Sequence, residues 1–230
     1  MNQEIPWNRF AVEAFVIVSS ILLAFSIDAW WDNRSRLNTE RDYLTALVTE
    51  YDEGLRRSNA YLRILPERQV VMNVAVELIQ ERLQGKEVNL GATLSQIRAM
   101  PRPFEFERIA IDNLLGSGGY QLISDPVARQ LITYIETRKA YFTTADLLRS
   151  DFYYDYFTGI AVDNRVKRNA ESNQLVPISD SEIGLQRLSN ILSVMIENNV
   201  NAVSTMNGVR EAISQFLVYS ESTFGITSTN

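Results

Sequence analysis

Three short clusters in this 230-residue chain carry side chains that could do chemistry. Asp151 and Asp155 stand four residues apart, a spacing that places two carboxylates on one face of a helix. Carboxylates on facing helices hold metal ions in some helical bundles, but a histidine completes those sites. The chain has neither histidine nor cysteine. We therefore expect no metal at this pair, and no thiol nucleophile, Cys/His zinc site, His-ligated haem or Ser-His-Asp triad.

The second cluster is a glycine-rich turn, Gly116-Ser-Gly-Gly119. Such turns can cradle a phosphate, yet this one lacks the lysine that follows a P-loop and the strand that precedes it. We interpret it as a helix terminator followed by a tight turn.

The third cluster is basic and consists of Arg165, Lys167 and Arg168. The chain as a whole is acidic, with a formal net charge of -6, and it carries no nucleic-acid-binding motif. A solvated loop is therefore the expected setting, and we expect no nucleic acid as a partner. An enzyme that uses only carboxylates, tyrosines or lysines would need converging acids in a cleft. We predict no catalytic residue, no cofactor and no metal, and so a protein that is not an enzyme.

The elements that must position these residues begin with an apolar run from Phe10 to Ile27. Extended to Trp31, it would form about 33 Å of helix, enough to cross a hydrocarbon core of about 30 Å. Trp7 precedes the run and Trp30 and Trp31 close it, as is typical of the two membrane interfaces. The run predicts an uncleaved, single-pass transmembrane helix. A cleaved signal peptide and a buried core helix are the alternatives.

Polar side chains interrupt the run at Glu13, Ser19 and Ser20. Glu13 follows Arg9 by one turn, so the two can pair at the membrane interface. The other interpretation is that Glu13, Ser19 and Ser20 face a neighbouring transmembrane helix, because small and hydroxyl side chains allow close approach there. Both interpretations stay open.

Beyond the run, apolar residues recur at helical spacing along most of the chain. Pro66 suits the first turn of a second helix that Gly85 would end, so we expect a helical hairpin here. Asp125-Pro126 is a helix-start signal. A capping box at residues 179–182 precedes the stripe of a last long helix.

The predicted fold class is all-α: one N-terminal transmembrane helix that continues into a helical bundle of about four main helices. We divide the chain into a short N-terminal tail (1–9), the transmembrane helix (10–31), a helical extramembrane domain (32–222) and a polar C-terminal tail (223–230).

The densest aromatic stretch of the chain is FYYDYF, residues 152–157. Five rings so close together cannot all face one core, and tyrosine and phenylalanine are favoured contact residues at interfaces. Packing at the end of the bundle is the alternative. The candidates for contact with a partner are Phe152, Tyr153, Tyr154, Tyr156 and Phe157.

The anchor segment is similar to the N-terminal segment of a family of uncharacterised bacterial single-pass membrane proteins. The matching positions are Glu13, Ile21 to Ala24, Asp28, Trp30, Asp32 and Arg34. Weaker similarity runs through Tyr43-Leu44 and through residues 114–129. The resemblance implies one anchor in the bacterial inner membrane and a helical domain on the outer, periplasmic face. It brings no activity and no functional residue.

Charge counting favours the opposite orientation. Arg34, Arg36 and Arg41 follow the apolar run, whereas Arg9 and the terminal amine precede it, and basic residues concentrate on the cytoplasmic side. Because these arginines alternate with acidic residues, they also fit an ordinary solvated helix. The side of the membrane therefore stays open.

Three functions fit this outline. The first is a non-catalytic accessory subunit that packs against the other transmembrane subunits of a larger bacterial complex, photosynthetic or respiratory, in the lipid bilayer. The second is a ligand-binding or sensing module that acts through a partner. The third, an enzyme without histidine or cysteine, is the least favoured.

Overall fold

The computed structural model describes residues 7–97, 102–158, 166–168, 171, 175–177 and 182–227. Within these ranges the α-helices are α1 (Trp7–Leu83), α2 (Leu90–Ile97), α3 (Ile109–Gly116), α4 (Pro126–Phe152) and α5 (Glu182–Phe224). A 3-10 turn (Gly119–Leu122) precedes α4 and a π-helical turn (Tyr153–Thr158) follows it. The predicted all-α class, an apolar N-terminal helix leading into a bundle, is confirmed.

Two strands of three residues each, β1 (Val166–Arg168) and β2 (Leu175–Pro177), form an antiparallel pair with Lys167 opposite Val176. Two residues of the basic cluster thus lie on a strand, whereas a loop was expected. Arg165 and most of the predicted capping box lie outside the described residues.

Helix α1 is continuous over 77 residues, so the predicted hairpin at Pro66 is wrong. A proline inside a helix removes a hydrogen bond and costs about 3 kcal/mol. The buried stripe nevertheless continues past it, because Leu65, Met72 and Ile79 are all fully buried. Each such side chain contributes about 1.5 to 3 kcal/mol, which outweighs the cost of the proline.

The predicted helix ends at Gly85 and at the glycine-rich turn, and the predicted start at Asp125, are confirmed. Gly85, just beyond α1, has a φ of 84° and Gly118, after α3, a φ of 71°, the left-handed region that favours glycine. At the start of α4 the Asp125 carboxylate accepts a hydrogen bond of 2.8 Å from the Ala128 N–H, and Pro126 is the first helical residue. These ends are local in origin, as capping chemistry requires.

Helices α1 and α4 run in the same direction. The Tyr51 hydroxyl donates to Glu136, and the Tyr61 hydroxyl donates to Asp146; in both pairs the partners are 85 residues apart. A constant separation means that the two helices rise together, so α4 is parallel to α1.

Helix α5 runs back along them. The Asn199 amide of α5 donates to the Leu65 carbonyl of α1 at 2.8 Å. Later in α5, the Phe216 ring packs edge-on against Tyr51, an earlier residue of α1, with ring centroids 5.3 Å apart. The end of α5 therefore returns toward the apolar half of α1.

The return segment, residues 102–124, carries the chain from the far end of the bundle back to the start of α4. It lies antiparallel along α1, since later residues of this segment meet earlier residues of the helix. The attaching hydrogen bonds join Arg57 to Glu105 (3.1 Å), Glu50 to Ala110 (2.6 Å) and Glu40 to Ser124 (2.6 Å).

The core has two parts. The larger joins α1, α3, α4 and α5 around Leu47, Ile132 and Phe216, in the half nearer the apolar run. The smaller joins the end of α1 to α2 and the start of α5, around Ile79 and Leu192. The helical domain is thus a bundle that α1 enters from one end and crosses completely.

Candidate membrane anchor and buried polar network

One helix of the described residues, α1, is long and apolar enough to cross a membrane, and its most apolar window is wholly unburied. Phe15, Leu22 and Phe25 expose 72%, 60% and 66% of their surface. A core helix of a soluble bundle would bury such side chains. The apolar run is therefore not part of this chain's own core.

The aromatic end of the run carries two tryptophans and an arginine. Trp30 and Trp31 are both exposed, with ring centroids 6.4 Å apart. The Arg34 guanidinium lies 5.9 Å from the Trp30 ring, a cation–π arrangement. These groups suit a boundary between hydrocarbon and water. Trp7 is the first residue of α1, and its side chain lies outside the described residues.

The polar residues of the run divide between two faces. Glu13 and Ser20, seven positions apart, share a face, whereas Ser19 is turned about 100° away from Ser20. The Ser20 hydroxyl donates to the Val16 carbonyl one turn earlier, at 2.8 Å. This hydroxyl is therefore satisfied within its own helix.

The five aromatic candidates near residue 155 separate by burial. Tyr153 is buried in the smaller core, so it is not available to a partner. Phe152 is half-buried and stacks on Tyr156 with centroids 4.4 Å apart. Tyr154 and Tyr156 are about half exposed. The Phe157 side chain lies outside the described residues.

A buried ion pair joins three elements in the middle of the bundle. Asp146 and Arg149, both on α4, expose only 1% and 2% of their surface, and the Arg149 Nε donates to the Asp146 carboxylate at 2.7 Å. The same carboxylate accepts from the Tyr61 hydroxyl of α1 and, at 2.7 Å, from the Phe104 N–H of the return segment. Burial raises the pKa of the Tyr61 phenol, which keeps it a donor.

A second set of paired charged residues, centred on Lys139, lies about two turns before Asp146 on α4. Lys139 is buried, and its ammonium donates to Glu136 at 2.8 Å. That ammonium also lies 5.1 Å from the Tyr51 ring and 5.3 Å from the Phe106 ring. Arg108 of the return segment reaches the other Glu136 oxygen at 3.1 Å. Together the two groups fasten α1, α4 and the return segment to one another.

An open cleft of about 460 Å³ lies beside this region, between α1 and the return segment. Glu50 lines it and accepts the Ala110 N–H through one oxygen. The other oxygen, Oε1, is buried and has no hydrogen-bond partner among the described residues. Burial is the main cause that raises the pKa of this carboxyl.

The sequence carried a signal for these groups that the search for motifs missed. Lys139, Asp146 and Arg149 occupy positions on α4 in phase with the buried Ile135 and Phe142. Charged residues in phase with an apolar stripe must be paired inside the bundle. The chemistry available to these three charged groups is to hold α1, α4 and the return segment together through ion pairs and hydrogen bonds.

No family model, no curated protein and no solved structure matches this chain.

Proposed function

We propose that this protein is a non-catalytic, membrane-anchored accessory subunit that packs against and braces a larger bacterial membrane complex. One observation carries the proposal: the unburied apolar run and the core of the bundle belong to one uninterrupted helix. No linker separates the span from the domain, so a force on one is transmitted to the other.

The spacing along α1 supports a bracing role. Glu40 and Leu44 are the first buried residues after Trp31. At 1.5 Å per residue, the bundle begins about 13 Å beyond the tryptophans. A domain held rigidly at this height suits contact with a neighbouring membrane protein that projects from the bilayer.

The bundle is also stiffened further along α1, about 30 to 45 Å beyond the tryptophans, where Tyr51 and Tyr61 lie. On α4, Asp146 pairs with Arg149 and Glu136 pairs with Lys139. The Tyr61 and Tyr51 hydroxyls of α1 donate to these two carboxylates and so tie α1 to α4. The Phe104 N–H donates to the same Asp146 carboxylate, so the return segment is held to α1 and α4 as well.

Two experiments test the proposal. The full chain should stay in the membrane pellet after alkaline washing, whereas a variant that lacks residues 1–35 should be soluble and still helical. A full chain released by washing would refute the anchor. Purification in mild detergent should then yield a stoichiometric companion of different sequence, and isolation of this polypeptide alone would refute the accessory role.

We place the bundle on the periplasmic face, following the resemblance of the anchor segment. Protease added to spheroplasts should digest the bundle while the inner membrane is intact. If the protease digests the bundle only after the inner membrane is opened, the bundle lies on the cytoplasmic side. The proposal that α1 is a membrane anchor is unaffected by that result.

A further inference from the structure

The outward face of α4 carries a line of apolar side chains at every seventh position: Val127, Tyr134, Tyr141 and Leu148. They are 42%, 41%, 65% and 60% exposed. Residues at heptad spacing form a nearly straight stripe along a helix and occupy one of the two apolar positions of a coiled-coil heptad. The position three residues further on is polar here, at Gln130, Thr137 and Thr144. Nothing in the described part of this chain covers that stripe.

The same face is depleted of charge. In the fully described stretch between Gln130 and Leu148, Arg138 alone among the exposed residues is charged. Its guanidinium donates to the Tyr134 hydroxyl of the same helix at 2.7 Å and lies 4.9 Å from that ring. Depletion of charge around aromatic residues is characteristic of the centre of a protein interface.

Helix α1, beside it in the bundle, has an ordinary solvated surface. Over a similar length it exposes Arg41, Asp42, Arg56 and Arg63. Helix α5 is as poor in charge as α4, since Glu211 is the one charged residue among those it exposes between Val200 and Val218. The line of apolar side chains, and not the low charge alone, therefore distinguishes the face of α4.

We propose that a second copy of this chain covers the face, with the two α4 helices parallel and in register. The orientation rests on the proposed anchoring: copies in one bilayer share one orientation, so a two-fold axis between them lies along the membrane normal. Because α4 is parallel to α1, it then meets its counterpart parallel, and Tyr134 meets the second Tyr134.

The charges and the size of the face agree with this pairing. Arg138 flanks the stripe, and in a parallel pair the two flanking copies lie on opposite sides of the two-fold axis, so they do not repel one another. From Val127 to Leu148 the seam is about 32 Å long. Such a seam buries on the order of 1,000 Å² in total, the lower end for a specific interface.

Disulfide cross-linking in native membranes tests the proposal, because the natural chain contains no cysteine. Y134C and Y141C should each form a covalent dimer on mild oxidation. S214C is the matched control, since Ser214 is exposed on α5 at about the same height and should remain monomeric. Absence of a dimer band in both tyrosine variants, or a band of equal strength in S214C, would overturn the proposal. A band that requires Y134C and Y141C to be mixed would overturn the parallel register.

A charge placed in the seam gives an independent result. Combined with Y134C, the substitution Y141K should abolish the cross-link, whereas V218K, at an exposed valine of α5, should leave it intact. Survival of the cross-link in Y141K would refute the seam. Recovery in the membrane pellet is scored in parallel, so that failure of the anchor and failure of pairing are distinguishable.

Discussion

Replacing Asp146 with asparagine should be among the most damaging nearly isosteric changes in the bundle. The carboxylate is 1% exposed and accepts from Tyr61, from Arg149 at 2.7 Å and from the Phe104 N–H at 2.7 Å. An asparagine of nearly the same volume has one acceptor oxygen for these three donors, and it removes the negative charge that the Arg149 Nε contacts.

The expected magnitude follows from that loss. Removing one partner of a buried ion pair costs about 3 to 5 kcal/mol, because the remaining charge stays desolvated. Domains of ordinary stability unfold with about 5 to 15 kcal/mol, so D146N should remove about a fifth of the stability or more.

Urea unfolding of the full chain in detergent, followed by far-UV circular dichroism, measures this cost. The midpoint should fall while the slope with urea concentration stays constant. D151N is the matched control, since Asp151 is exposed on the same helix and its replacement should change stability by less than about 0.5 kcal/mol.

A double variant separates the charge from the shape. D146L combined with R149M removes both charges, so it should be markedly more stable than D146N. If D146N costs less than about 1 kcal/mol, the value of a solvated surface pair, the reasoning from burial is refuted.

Three further predictions concern other parts of the bundle. G119A should destabilise by about 1 to 3 kcal/mol, because a Cβ there would lie 2.8 Å from the Tyr43 ring, whereas G116A meets nothing within 4 Å; equal stabilities would contradict this. The pKa of Glu50 in the folded protein lies above its usual 4.5. The free energy of unfolding should therefore rise as the pH falls from neutral through the raised pKa towards 4.5. In urea titrations at several pH values, E50Q should lack this rise. P66A should raise the melting temperature, since it restores a helical N–H worth up to about 3 kcal/mol; a lower melting temperature would show that the bundle requires the proline.

Local signals in the sequence were sufficient for the ends of several helices. The Asp125 cap and the turn glycine Gly118 were predicted correctly because capping and positive φ involve only a few neighbouring residues. The same local logic failed at Pro66. It gives the cost of a proline in a helix, but not the burial on both sides that outweighs it.

The buried polar network shows a different limit on prediction from the sequence, because its partners come from separate segments of the chain. The phase of Lys139, Asp146 and Arg149 in the α4 stripe indicates that these charges are buried. It does not indicate that Asp146 meets Tyr61 and Phe104, which lie 85 and 42 residues away along the chain. Those pairings depend on how α1 and the return segment pack against α4.

By itself the sequence determined an apolar segment of membrane-spanning length, an all-α bundle and the exclusion of histidine and cysteine chemistry. These follow from composition and periodicity, which are properties of single segments. Only the tertiary structure decided that α1 is unbroken, that Tyr153 is buried beside exposed Tyr154, and that the uncharged face of α4 points outward. Each depends on which segments meet across the bundle, and the free energy of those contacts outweighs local preference.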